Sequence, residues 1–396
     1  MKIALISVHG DPVLQAGGKD AGGMNIYIRE VAERLVNQGV DVDVFTRMHD
    51  RQEEIEESFI NFNMVYVKAG EESLDKLGIF SHLDTFTKEV DKYSKENNKN
   101  YDLIYAHYWL SGIVALRLKK IWKKPIATSF HTIHEIKQEA FPFNTDNPVR
   151  EKEERVVAKG SDAIIVWSDH EKKFIEEKFN INSNNIEIIP PGVDLDIFKP
   201  EDKSESRKII NLDQEEKVIL YVGRLERLKG LDTLLEALSL LDQRDINLLV
   251  VGGLYNLEEL SRLKKICLNL NLDQNVHFIG SINRKELKHY YNSSDLCVLP
   301  SYYESFGLSA LEASACGIPV IASKRGGLSS IVLDKKTGYL LQWRCPGPFV
   351  DKLEVLLSNR RLRESMGEAA RIHAMSLSWD NAISQLKDLF NKLTLS

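Results

Sequence analysis

The sequence predicts an α/β protein of two doubly wound parallel-sheet domains, the second repeating the design of the first. Short β-rich apolar runs alternate with amphipathic helical stretches along nearly the whole chain. Several of these runs are continuous, as in strands buried on both faces of a parallel sheet. The alternation breaks near the middle at a proline-rich stretch and then restarts. A length of 396 residues also suits two cores better than one.

Taken in order, the first half offers strands at 3–8, 40–45, 64–67, 103–106, 126–130, 163–166 and 186–189. Between the first two lies a helical pattern over 25–37, which puts Ile28, Val31, Ala32 and Leu35 on one face. The stretch 188–200 holds two adjacent prolines, Gly192 and a further proline, a composition that suits an inter-domain linker. A charged, polar segment follows over 201–216. Strands then recur at 218–222, 247–251, 276–279, 296–299 and 319–322. The last stretch, 379–393, is helical by period, with Ile383, Leu386, Leu389 and Phe390 on one face. The domains predicted are therefore 1–192 and 193–378, with 379–396 as a final helix.

Composition removes several function classes. Fifty-two basic side chains face 58 acidic ones, and the net charge of −6 argues against nucleic acid as a partner. The 43% apolar content argues against wholesale disorder. No apolar run reaches the ~18 residues of a spanning helix, so stable membrane insertion is not expected. The first residues read as a strand and lack the cleavage site of a signal peptide. Cys267, Cys297, Cys316 and Cys345 are widely spaced and fit reduced thiols. A cytoplasmic monomer or homodimer is the expectation.

In open α/β sheets, ligands bind beyond the carboxyl ends of the strands, where helix N-termini point. After the first strand comes Gly17-Gly-Lys-Asp-Ala-Gly-Gly-Met-Asn25, opening a helix. Its four glycines let backbone approach a ligand, yet it is neither a P-loop nor a dinucleotide fingerprint. His107 and His134 read as structural histidines as readily as functional ones. His131, directly at a strand end, favours function. No third ligand accompanies His131 and His134, so a metal is not expected. Arg224 and Lys229 flank a loop after the strand at 218–222 and suit a diphosphate, one as a fork and one as a point charge. After the strand at 296–299, Glu304 precedes a helix expected to start near Phe306. Glu312 lies inside that helix among apolar neighbours, where a charge needs a reason. The pairs Asp194/Asp196 and Asp41/Asp43 resemble a D-x-D metal motif but sit in the linker and along a strand, and read as chance.

Glu304 and Glu312 form an E-x7-E pattern. Together with Gly223-Arg224, Lys229-Gly230, the glycine loop and the Pro-Pro-Gly-Val-Asp linker, it resembles the retaining glycosyltransferases of family 4, whose fold is GT-B. The segments GGMNIY, HYWLSG and SFHT resemble the mycothiol-pathway enzymes that move N-acetylglucosamine to inositol phosphate. Sucrose-phosphate synthases are the next nearest group.

The resemblance implies two Rossmann-like domains facing across a cleft, with the final helix packed on the first. It implies transfer of a hexose or N-acetylhexosamine from a nucleotide-diphosphate sugar to a small phosphorylated acceptor such as inositol phosphate or fructose 6-phosphate. UDP is the family's commonest carrier, and no metal or other cofactor is implied. Arg224 and Lys229 would hold the diphosphate, and Glu312 the ribose. Glu304 and the amides of Phe306, Gly307 and Leu308 would lie by the donor sugar, and His131 would contact it. Gly22 and Gly23 would meet the diphosphate and acceptor, and Asn25 the acceptor hydroxyls. Lys76, Tyr108, Thr132 and Arg150 would hold the acceptor phosphate. Of these, His131, Arg224, Lys229 and Glu304 carry the catalytic expectation. A nucleotide-sugar 2-epimerase or a non-transferring sugar-nucleotide binder are the rival readings.

Overall fold

The computed structural model describes residues 1–14, 22–49, 61–141, 148–242, 245–253, 256–342 and 345–395. The residues Gly17, Gly18, Lys19, Asp20 and Ala21 of the glycine loop, and Trp343 and Arg344, lie outside the described set. The chain forms two compact units. One holds the described residues of 1–190 with Asp380–Ser396; the other is Pro191–Trp379.

The first unit carries β1 (Lys2–Ile6), β2 (Asp41–Arg47), β3 (Asn63–Val67), β4 (Leu103–His107), β5 (Ile126–Ser129), β6 (Ala163–Val166) and β7 (Ile186–Ile188). They make a seven-stranded sheet in the order β3-β2-β1-β4-β5-β6-β7, with every pairing parallel. Ile3, Leu5, Val44, Ile104 and Ile164 are wholly buried, which is why these strands read as continuous apolar runs. The helix Trp379–Leu395 buries Ile383, Leu386 and Phe390. The Phe390 ring meets the edge of Tyr105 on β4, with centroids 5.1 Å apart, and Asp380 pairs with Arg34 at 3.3 Å.

The second unit carries β8 (Lys217–Val222), β9 (Ile246–Val251), β10 (Val276–Gly280), β11 (Leu296–Leu299), β12 (Val320–Ser323) and β13 (Gly338–Leu341). Their order is β10-β9-β8-β11-β12-β13, again all parallel. Each sheet therefore has a switch point, between β1 and β4 in the first and between β8 and β11 in the second. There the connections leave in opposite directions and open a crevice at the carboxyl ends.

Three readings of the sequence change. β13 is an additional edge strand. The helix expected near Phe306 begins at Leu308. The charged segment 201–216 contains a helix, Lys203–Ile209, whose buried face is Ser206 and Arg207. Arg207 is buried because it donates to the carbonyls of Asp213, Glu216 and Ser293 at 3.0, 2.7 and 3.1 Å. Where the chain passes from one unit to the other, Gly192 has no room for a side chain. A Cβ there would lie 2.1 Å from the Trp379 nitrogen.

Asp295 ties this helix to the sheet. Its carboxylate accepts from Lys203 at 2.8 Å, Arg363 at 3.3 Å and the Val218 amide at 2.9 Å. Burial pushes its carboxyl up, but the Lys203 charge and these hydrogen bonds outweigh burial and hold it below the usual value of 3.8. A depressed carboxyl adds stability that is full above 3.8 and lost as pH falls through the folded value. Asp295→Asn is expected to cost about 3 kcal/mol at pH 7, since it leaves the buried Arg207 and the mostly buried Arg363 without their carboxylate. It should also flatten the loss of stability below pH ~4. Urea unfolding of both proteins at pH 7 and pH 3 checks this; an equal difference at both pH values would refute it.

Candidate active site

Two sets of side chains assemble, one in each unit, each at its sheet's switch point.

In the second unit, Gly223–Gly230 follows β8 and Pro300–Gly307 follows β11, so strands that are neighbours in space bring together loops far apart in sequence. Tyr302 N donates to Leu228 O at 2.8 Å and locks the two loops. Lys229 Nζ lies 2.7 Å from Glu304 Oε1, which also accepts from Ser301 Oγ at 3.0 Å. Gly230 turns the chain at φ +66°, and a Cβ there would come 2.3 Å from Pro300 O, so the approach of the loops needs glycine. Arg224 is about one-third exposed and lies 2.9 Å from Glu226. Glu304 O accepts from Gly327 N at 2.9 Å. Gly307, at φ +100°, caps the helix Leu308–Ala315, whose first amides have no carbonyl within the helix to meet. That end of the helix, three residues past the Glu304 that holds Lys229, is suited to an anion.

Glu312 has its reason. It is buried in the middle of that helix, and its Oε2 accepts from Tyr291 O–H at 3.0 Å. Its Oε1 lies 3.7 Å from Arg284 Nε. Burial first, and the Glu312 charge second, push the Tyr291 phenol far above its ordinary value, so Tyr291 stays a donor. Tyr291 and Arg284, from the helix Arg284–Ser293, hold the carboxylate's direction. Sequence reasoning passed over both, because their link to Glu312 crosses β11.

In the first unit, Asn25 opens the helix Gly23–Asn37. Its Oδ1 accepts from Gly22 N at 3.1 Å and its Nδ2 donates to Asp11 O at 2.7 Å. The side chain thereby welds the start of the helix to the turn after β1. Asp11 is wholly buried and lies 2.9 Å from His49 Nε2. Gly22 is half-buried with its N–H given to Asn25 and its carbonyl to Asn25 N and Ile26 N, so the amide expected to meet a ligand is occupied there, whereas Gly23 is exposed.

Lys76, Tyr108, Thr132 and Arg150 come from four separate segments and converge. The Arg150 guanidinium lies 4.8 Å from the centre of the Tyr108 ring, and Lys76 Nζ 6.0 Å from it. Arg150 Nη2 donates to both Thr132 O and Thr132 Oγ1 at 2.9 Å. Arg150 Nε donates to Glu154 Oε1 at 2.7 Å, one helical turn on. Glu154 Oε2 accepts from His134 N at 2.8 Å. Burial raises the Glu154 carboxyl against the pull of Arg150. Tyr108 stands in the left-handed region, φ +75°, where a non-glycine residue stores strain of order 1 kcal/mol. Two cations, a phenol and a hydroxyl in one cluster can clasp a phosphate, the arginine by a two-pronged hydrogen bond.

His131 also stands in the left-handed region, φ +61°. It packs edge-on against Tyr27 and Trp167 and shares a hydrogen bond with His107. Burial lowers its imidazole to about 3, so it is neutral at ordinary pH.

The two D-x-D pairs are occupied otherwise. Asp43 is buried with Tyr101, Lys99 and Asn63. Asp194 caps its own turn, accepting from Asp196 N at 3.0 Å and Ile197 N at 3.1 Å. Among the described residues, no helix is long and apolar enough to cross a membrane.

Two family models and several known proteins match the chain. A family model described as glycosyltransferase family 4 matches residues 21–197, and one described as glycosyl transferases group 1 matches 202–373. The chain is 36% identical to a D-inositol 3-phosphate glycosyltransferase of Corynebacterium jeikeium, over 99% of this chain and 97% of that one. It is 33% identical to one from Nocardiopsis dassonvillei, over 99% and 95%. Among solved structures, a sucrose-phosphate synthase from Thermosynechococcus elongatus superimposes with a TM-score of 0.92 at 31% identity, covering 99% of this chain and 98% of that one.

Proposed function

The chain belongs to glycosyltransferase family 4, with the two parallel-sheet units of the GT-B fold, and we propose that it is a retaining enzyme. It moves a hexose or N-acetylhexosamine from a nucleotide-diphosphate sugar to a hydroxyl of a small phosphorylated polyol or sugar. The observation that carries this reading is the convergence of Lys76, Tyr108, Thr132 and Arg150. A sugar-nucleotide epimerase or simple binder has no use for a second phosphate site.

The chemistry divides between the units. Cleaving the donor breaks the bond from the anomeric carbon to the diphosphate oxygen, and the electron pair leaves with the diphosphate. Negative charge grows there, and Arg224, Lys229 and the amides of Gly307 and Leu308 are fixed donors for it. In the resting protein Glu304 holds Lys229 in place. Glu312 accepts the ribose hydroxyls, and the amide of Phe306 lies by the donor sugar, its ring being buried. The acceptor hydroxyl oxygen bonds to the anomeric carbon and gives its proton to the departing diphosphate. Retention follows from attack on the face the diphosphate leaves. His131 contacts the donor sugar, Gly23 presents its amide while the Gly22 amide is already met by Asn25, and Asn25 shapes the acceptor end. The residues themselves supply the needed positive charge, so the reading asks for no metal. UDP is the proposed carrier.

An inositol phosphate acceptor is placed ahead of fructose 6-phosphate. The support is the name borne by relatives at 36% and 33% identity along nearly the whole chain, and Met24-Asn25 after the paired glycines. The test is nucleotide release from UDP-, GDP- and ADP-sugars with inositol 3-phosphate, fructose 6-phosphate or unphosphorylated inositol added. Release is expected with a UDP-sugar and a phosphorylated acceptor. Release at the same rate with unphosphorylated inositol would overturn the phosphate reading, and an epimerised sugar without transfer would overturn the reaction.

A further inference from the structure

The proline-rich stretch that the sequence marks as a linker turns inward at the start of the second unit. Asp194 caps a turn there, accepting from the amides of Asp196 and Ile197, and Phe198 N donates to Asp194 O at 2.9 Å. The turn carries the Phe198 ring into the unit, where it is wholly buried. The ring lies along one face of the helix Arg284–Ser293. Arg284 and Tyr291 are seven residues apart on that helix, about two turns, and so share the face. The Arg284 guanidinium lies 5.4 Å from the centre of the Phe198 ring. The Tyr291 ring meets Phe198 edge-on, with centroids 5.8 Å apart. These are the two side chains whose polar ends hold Glu312.

The backbone around Phe198 repeats the connection. Asn292 Nδ2 donates to Lys199 O at 3.1 Å, and its Oδ1 accepts from Glu201 N at 2.9 Å. Glu201 in turn pairs with Lys288 at 2.7 Å. The segment 198–201 is thereby fastened to the helix Arg284–Ser293 along its length. The Phe198 carbonyl reaches a second helix. Arg371 Nη1 donates both to Phe198 O at 2.9 Å and to Ala315 O at 2.8 Å. Ala315 ends the helix Leu308–Ala315, whose last carbonyls have no amide within the helix to meet, and Glu312 lies on that helix. Phe198 is therefore tied by its ring to the partners of Glu312 and by its carbonyl to the helix that carries Glu312.

We propose that Phe198 is a positioning residue for Glu312: it fixes Arg284 and Tyr291 against the helix Leu308–Ala315 and so sets the direction of the carboxylate that accepts the hydroxyls of the donor ribose. This rests on the reading above that Glu312 meets that ribose. Hydrogen bonds weaken steeply off their preferred angles, so a carboxylate free to turn recognises a pair of hydroxyls poorly. The Arg284 side chain is 19% exposed, and without a ring beneath its guanidinium it can swing to water. Tyr291 is wholly buried, and removal of the ring edge beside it opens space into which it can tilt. Phe198, Arg284, Tyr291, Glu312 and Arg371 all belong to the second unit.

Nucleotide binding tests the proposal without an acceptor. UDP and 2′,3′-dideoxy-UDP differ only in the hydroxyls assigned to Glu312, and calorimetry measures the affinity for each. The wild type is expected to bind UDP about 10- to 150-fold more tightly than the dideoxy form, and Glu312→Gln to lose most of that preference. Phe198→Met should cut the preference by about 5- to 20-fold, with affinity for the dideoxy form near that of the wild type. Methionine keeps most of the volume but offers neither a ring face nor a ring edge, so the fold should hold, which a thermal melt checks. Phe198→Leu repeats the comparison with a smaller side chain. If GDP or ADP binds the wild type more tightly than UDP, that nucleotide and its dideoxy form serve as the pair. An unchanged preference in Phe198→Met, or an equal weakening of both nucleotides, would overturn the positioning role and leave the reading of Glu312 standing. A wild type that binds the two forms alike, or a Glu312→Gln that keeps the full preference, would overturn the reading of Glu312 and the proposal with it.

Discussion

Lys229→Ala is expected to lower kcat by about 10²–10³-fold, with the donor KM changed far less. The reason is where the charge appears. The ground-state diphosphate is already anionic and can be held by Arg224 and the helix amides, whereas the extra charge of bond cleavage is new in the transition state. An interaction that strengthens as that charge develops is lost from kcat. Lys229 suits this role better than Arg224. It is only 15% exposed and is fixed by Glu304 at 2.7 Å, while Arg224 is more than twice as exposed. Lys229→Arg is not a neutral control, since a bulkier planar fork replaces a compact point charge at the same place on the loop. The fold should tolerate the alanine, because Glu304 keeps its bond from Ser301 and is partly solvated. Initial rates with saturating acceptor, beside a thermal melt, check both statements. Normal turnover in a folded variant would remove Lys229 from the reaction.

Much of this arrangement could be read from the chain because it follows period and position. The strands at 163–166 and 296–299 were continuous apolar runs and sit where expected. Edges and polar faces hid the rest. β13 is four residues long, borders the sheet and leaves Tyr339 and Leu340 half-buried, so it has little apolar signal. The helix Lys203–Ile209 buries Arg207, which inverts the usual pattern. Gly307, in a left-handed turn, delays the helix start to Leu308. The site follows the same division. Lys229 and Glu304 each stood at a strand end, but their ion pair depends on β8 and β11 being neighbours, which sequence order does not state. Glu154 was in plain view one turn after Arg150, yet nothing local says that it also caps His134. His107 reads as structural as readily as functional because its partner His131 lies past the end of the neighbouring strand.

Loss of the phosphate clasp should appear in KM. Removing Arg150 is expected to raise the KM of a phosphorylated acceptor by about 10- to 150-fold, the equivalent of the ~1.5–3 kcal/mol of a charge-assisted hydrogen bond. The donor KM should move little. Arg150→Ala alone confounds this, because Arg150 is 5% exposed and its partner Glu154 1%. An unpaired buried carboxylate costs about 3–5 kcal/mol, and the variant would unfold more easily at neutral pH than in mild acid, where Glu154 takes a proton. The double variant Arg150→Met/Glu154→Gln removes both charges, and the glutamine oxygen can still accept from His134 N. It isolates recognition from stability. Lys76→Met gives a second reading at a more solvated position, with the same selectivity and a smaller effect. The three together separate the alternatives. A phosphate clasp predicts that each variant loses its preference for the phosphorylated over the unphosphorylated polyol. A purely structural Arg150 predicts that both acceptors suffer alike and that Lys76→Met changes neither. Equal rises in donor and acceptor KM would place Arg150 in the scaffold and leave the convergence on Tyr108 without a ligand.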